Sequence, residues 1–148
     1  MKLDKYSLKA EQSLTVFEFV SEGPKGMIRK LIQFQQTNRP NLYNLAFGDK
    51  NAQTGEIDDL VISNNGDTDK VLATVVAALY AFFEKYPDAY VYATGSTVAR
   101  TRLYRMGITR FYDEVVEDFD LYGQVGDEFV VFEVGKEYDG FIAQRRLS

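Results

Sequence analysis

The chain has 148 residues, with 17 Lys and Arg against 22 Asp and Glu, a formal charge of −5, and neither cysteine nor histidine. Those absences exclude disulfides, thiolate nucleophiles, Cys- or His-ligated metal sites, and Ser-His-Asp or Cys-His catalysis. The length fits a single domain, residues 1–148, and the acidic balance disfavours a general affinity for nucleic acid.

The first ten residues are charged and lack the apolar stretch of a signal peptide. The longest nearly apolar run, Val71 to Phe83, is shorter than the roughly 20 residues a bilayer span needs. A soluble cytoplasmic protein with no membrane partner is expected.

Residues 15–21 alternate, with Phe17 and Phe19 on one face and Val16, Glu18 and Val20 on the other. Glu22 to Gly26 is turn chemistry, and residues 27–34 alternate again, with Ile28, Ile32 and Phe34 opposite Arg29 and Gln33. After a turn at 37–41, Tyr43, Leu45 and Phe47 mark a third strand, and Ile57 to Ser63 reads as a fourth. Short polar turns between four strands predict an antiparallel meander.

Asn64-Asn65-Gly66-Asp67 closes the meander and starts a helix, with Asp67 or Thr68 as N-cap and Pro87 as the stop. Val71, Leu72, Val75, Val76, Leu79, Phe82, Phe83 and Tyr86 form one apolar face; Ala73, Ala77, Ala78 and Ala81 occupy the other side. A helix without charges on its second face should be covered there, by the C-terminal segment or by a second subunit.

Residues 90–94 are almost continuously apolar, which suits an interior strand beside a parallel neighbour, here expected to be the Ile57 strand. Gly95-Ser96-Thr97 then turns into a second helix over 96–106, ended by Gly107, with Ala99, Leu103 and Met106 as its buried stripe. Residues 121–122 and 129–134 predict a last hairpin, and 138–142 a short edge strand. The order is ββββ-α-β-α-ββ, an α+β fold on an antiparallel-rich mixed sheet.

Residues 100–110 hold four arginines and no acid, whereas 113–139 hold ten acids and a single lysine, Lys136. Salt bridges between the two segments are expected, since Arg100 lies nearly opposite Arg102 and the arginines form no continuous basic face. Asp49, Asp58 and Asp59 match no cation-loop spacing, so no metal site is assigned.

Leu103-Tyr104 and Gly107-Ile108 resemble the helix that follows the fifth strand of GNAT acetyltransferases, as does the order of elements over about the last 90 residues. The resemblance implies acetyl-coenzyme A as cofactor and Tyr104 as general acid, with Glu18 or another strand carboxylate as base. Thr97 and Arg100 depart from the family's Asn and Ala, and the counterpart of its phosphate loop carries Asp67 and Asp69, which repel an anion. A second resemblance covers nearly the whole chain. Tyr43-Asn-Leu, Phe47-Gly-Asp, Ser63 to Asp67, and Gly95-Ser-Thr-x-x-Arg-x-Arg-Leu-Tyr104 are similar to an uncharacterised family of small bacterial proteins, mainly of Bacteroidetes.

A helix start offers unpaired amides to an anion. Asn64, Asn65 and Gly66 at one strand-to-helix junction, and Gly95, Ser96, Thr97 and Arg100 at another, are therefore the expected ligand-binding residues. A tight turn with a hydroxyl cap also explains Gly95 to Thr97, and a capped glycine turn explains 64–67. The reading is a binding or regulatory module without a resident cofactor, acting on a small anionic ligand, a protein partner or a second copy of itself. The alternative is a divergent acyltransferase.

Overall fold

A computed structural model describes residues 4–58, 63–95 and 97–146. Eight strands and three helices follow one another along the chain. They are β1 (Lys9–Ala10), β2 (Val16–Gly23), β3 (Gly26–Gln36), β4 (Leu42–Asp49), α1 (Thr68–Lys85), β5 (Tyr90–Ala93), α2 (Val98–Arg110), α3 (Tyr112–Asp118), β6 (Phe119–Val125), β7 (Glu128–Val131) and β8 (Gly140–Arg145). The class is α+β, and the strands hydrogen-bond in the order β1-β2-β3-β4-β5-β8-β6-β7. The mixed sheet is mostly antiparallel, with β4 and β5 parallel. Among the described residues no helix is long and apolar enough to cross a membrane.

The chain forms two compact units, Met1–Phe34 with Ala46–Lys85, and Gln35–Leu45 with Tyr86–Ser148. In the first, β2 and β3 make a hairpin whose register closes on Gly23 opposite Gly26. Alternation buries Phe17, Phe19 and Ser21 on β2. Phe34 on β3 stacks on Phe82 of α1 at 4.2 Å, and Phe82 meets Phe83 edge-on. Asp69 in the first turn of α1 and Lys85 in the last suit the helix dipole, and Pro87 follows the end.

On the second side of α1 the N-terminal stretch is a neighbour that the sequence did not suggest. Ala73 and Ala78 are fully buried, and the N-terminal stretch crosses the helix: the Tyr6 amide donates to Thr74 Oγ1 at 2.8 Å, and Lys85 Nζ donates to the Gln12 carbonyl. A stretch with so few apolar residues gave no periodic signal, and β1 within it was likewise not expected.

In the second unit, β5 lies between β4 and β8, with Leu42 to Leu45 paired in parallel with Tyr90 to Ala93. The parallel neighbour is thus β4. Of the expected Ile57 strand, Ile57 makes an isolated bridge to Lys50, and 59–62 lie outside the described residues. The C-terminal strand β8 is interior, paired with β5 on one side and β6 on the other, so the expected edge strand is corrected. A six-residue strand is too short for its pattern to tell an interior place from an edge. The hairpin shifts to β6 and β7, with Val125 opposite Glu128.

The second helix runs through Gly107 to Arg110, and α3 follows, a helix the sequence reading lacked. The chain turns at Phe111 (φ −111°, ψ 21°), whose amide bonds back to the Gly107 carbonyl. Glycine costs a helix about 1 kcal/mol relative to alanine, a preference that tertiary packing overrides here. Burial also reverses the expected stripe. Arg100, Tyr104 and Gly107 are buried, while Met106 is 44% exposed. Arginine's long apolar stem lets it occupy such a face.

Candidate functional site

Asn64 to Asp67 belong to the first unit, Gly95 to Arg100 to the second. In the first, Asn65 is 2% exposed and serves the β2–β3 turn. Its Oδ1 accepts from the Lys25 amide at 2.7 Å, and its Nδ2 donates to the Gly26 carbonyl and to Ser21 Oγ. Gly23 makes this approach feasible, because a Cβ there would lie 2.0 Å from the Asn65 carbonyl oxygen. Gly66 takes a left-handed φ of 73° and donates its amide to Asn64 Oδ1, which leaves Asn64 on the surface. Asp67 Oδ2 receives Tyr6 Oη and Ser21 Oγ, both at 2.5 Å. Burial, and then the Asp67 carboxylate, hold the Tyr6 phenol above its ordinary pKa. At this junction the side chains of Asn65 and Asp67 are bonded within the protein, while Asn64 stays exposed.

The junction before α2 is built differently. Thr97 is the N-cap (φ −132°, ψ 161°), its Oγ1 accepting from the Arg100 amide at 3.2 Å. The Gly95 amide donates to Thr101 Oγ1, and a Cβ at Gly95 would lie 2.2 Å from Arg100 Cβ, so only glycine lets the helix start this close to β5. Ser96 lies outside the described residues. Arg100 is buried in the inner face of α2, as is Tyr104.

A cleft of about 540 Å3 opens over this helix start. Gly95 and Thr97 line it, together with Thr94, Val98, Thr101, Arg102 and Arg105. Gln124 and Val125 of β6 and the Glu137–Tyr138–Asp139 segment complete it. Of the residues expected from sequence, the structure thus brings Gly95 and Thr97 to a cavity; Arg100 and Tyr104 are not among its lining residues.

Each lining charge has a distinct situation. Arg105 reaches Glu137 at 3.8 Å, a long contact to a side chain that is 85% exposed. Asp139 is held in place: its carboxylate accepts from the Gly126 amide at 3.0 Å and its carbonyl from Thr94 Oγ1 at 2.8 Å. Arg102 is exposed and, among the described residues, forms no ion pair. Val98 is 77% exposed and Val125 55%, which gives the polar cleft an apolar rim. Tyr92 Oη donates to Gln124 Oε1 at 2.5 Å and fixes that amide. Of the expected bridges between residues 100–110 and 113–139, Arg105–Glu137 is present, while Asp118 and Asp120 pair with Arg145 and Arg146 from outside the arginine-rich segment.

The 137–139 segment was missed because it lies some forty residues along the chain from Gly95 and carries no motif. Its one sequence signal was the density of acids after residue 113. Asp49 Oδ1 accepts from buried Lys30 at 2.5 Å, and Asp59 lies outside the described residues.

Residues 2–146 match the family described as "Family of unknown function (DUF6934)". No curated protein and no solved structure matches the chain. Because the match takes in nearly the whole sequence, the chain belongs to this family of unknown function.

Proposed function

We propose that the protein is a binding module whose second unit takes a small anionic ligand in the cleft over the α2 start. The observation that carries this reading is Arg102. It is a solvent-facing guanidinium without an ion pair among the described residues, in a cavity bordered by a helix N-terminus. Thr97 caps only the Arg100 amide, while the first amides of any helix lack intrahelical partners and sit at the positive end of its dipole. A guanidinium adds a planar, permanently charged fork for carboxylate or phosphate oxygens. The Arg105–Glu137 contact is long and exposed, so Arg105 is recruited by an incoming anion at small cost.

The acyl-transfer alternative gains no such support. Tyr104 is 9% exposed and outside the cleft lining, and Asp67 at the would-be phosphate loop is engaged by Tyr6 and Ser21. Melting with inorganic phosphate and with acetyl-coenzyme A separates the readings. A ligand at 100 times its dissociation constant adds about 2.7 kcal/mol, or roughly 5–10 °C in a domain of this size. The expected result is a rise with phosphate that Arg102→Ala abolishes and Asn64→Ala preserves. A rise with acetyl-coenzyme A that survives Arg102→Ala favours the acyltransferase. No rise with either contradicts the anion site.

A further inference from the structure

We infer that strand β7 is a self-pairing edge through which two copies of the chain join antiparallel. The strand lies last in the sheet order, with β6 as its only strand neighbour among the described residues. The Phe132 amide donates to the Leu121 carbonyl, which fixes the parity of the ladder. With Val130 opposite Gly123 and Glu128 opposite Val125, the backbone groups of Glu128, Val130 and Phe132 face β6. Those of Phe129 and Val131 therefore face away from β6, and among the described residues nothing pairs with them.

Two outward residues that flank one inward residue make a self-complementary edge. In an antiparallel pair centred on Val130, Phe129 faces Val131 of the second copy, and Val131 faces its Phe129. Each of these residue pairs exchanges an N–H and a C=O in both directions, so every outward group between Phe129 and Val131 is satisfied. The side chains agree with this register. Phe129 is 44% exposed and Val131 71%, and their alternation puts them on one sheet face, where each meets the other type across the join. Val130, 42% exposed, meets its own copy on the opposite face. Glu128 falls opposite Phe132 of the second copy, so no like charges oppose each other within the strand.

The opposite edge shows what a protected strand looks like here. β1 has two residues, one of them an exposed lysine, Lys9. Shortness and charge are the usual safeguards of an edge; β7, at four residues, is longer than β1, its one charge is Glu128 at the strand's start, and it has neither lysine nor proline.

Sedimentation of the full chain over a concentration series tests this. The expected result is a reversible dimer that Val131→Pro weakens. Proline at 131 removes an outward donor and leaves the ladder to β6 intact, so the fold and melting of the dilute monomer persist. By symmetry the substitution removes two hydrogen bonds, raising the dimer dissociation constant on the order of tenfold to a hundredfold. Val131→Lys, which keeps the amide but places two charges at the join, is expected to act in the same direction. A chain that stays monomeric at its highest soluble concentration overturns the inference, as does a dimer indifferent to both variants. Capture of an extended peptide by a monomeric chain also overturns it, giving the edge a different occupant.

Discussion

The two strand-to-helix junctions, Asn64 to Asp67 and Gly95 to Arg100, read alike in the sequence and differ in the fold. Each offers a glycine, small polar side chains and a helix start. At the first, Asn65 is buried and bonded to Lys25, Gly26 and Ser21, and Asp67 is held by Tyr6 and Ser21. At the second, the Thr97 and Thr101 hydroxyls are spent locally, and the adjoining cleft holds Arg102, which forms no ion pair among the described residues. The distinction lies in what the distant chain brings: a hairpin turn and an N-terminal tyrosine in one case, an acidic segment around Tyr138 in the other. Polar side chains at the first junction bond within the protein, while Arg102 beside the second faces solvent.

The contrast is sharpest at the buried pair of the first unit. Lys30 and Asp49 are bonded at 2.5 Å, with side chains 3% and 12% exposed, and Lys30 Nζ also donates to the Ser63 carbonyl. Lys30→Ala leaves a buried carboxylate unpaired and is expected to cost about 3–5 kcal/mol in urea unfolding. Replacing both partners by Met and Leu should recover most of that loss. Arg102→Ala in the second unit is expected to stay within about 0.5 kcal/mol of the parent. An equal loss at both sites would erase the distinction.

The asparagines at 64 and 65 divide in the same way. Asn65→Ala strands the Lys25 amide and the Gly26 carbonyl and should cost about 1–3 kcal/mol, whereas exposed Asn64→Ala should be nearly neutral. Thr97→Ala removes the α2 cap, with an expected loss of about 1 kcal/mol and a fraying first turn in amide exchange.

The smallest effect is electrostatic. The hydrogen bond from Lys50, opposed in part by burial, holds the Glu18 carboxyl below its usual pKa. A depressed folded pKa adds stability above the unfolded value of roughly 4.3, and that stability is lost as pH falls through the folded value. The pair is partly exposed, so its worth is at most about 1 kcal/mol. Glu18→Gln should flatten the acid limb of a stability–pH curve slightly; an unchanged limb would show that the pair contributes nothing.

Much of the architecture was legible because it rests on local periodicity. The alternation of Phe17 and Phe19, the register of Tyr43, Leu45 and Phe47, and the apolar face of the first helix all mark buried positions. Partnership was not legible. Whether residues 140–145 form an edge or an interior strand, and which strand lies beside β5, depends on long-range pairing that leaves no trace in a short apolar run. Arg100 misled because a charged residue at helical spacing reads as solvent-facing, yet its stem packs inward. Within the cleft, Gly95 and Thr97 were visible as a helix start, while Tyr138 and Asp139 became neighbours only through the fold of β6 and β8.

The most direct test of the anion site is an amide NMR titration of the full chain with inorganic phosphate. The expected shifts cluster at Val98, Ala99, Thr101 and Arg102, with smaller ones at Gln124, Val125 and Asp139, and they saturate in the parent but not in Arg102→Ala. Shifts centred on Asn64 to Asp67, or none at the α2 start at saturating phosphate, would contradict the account.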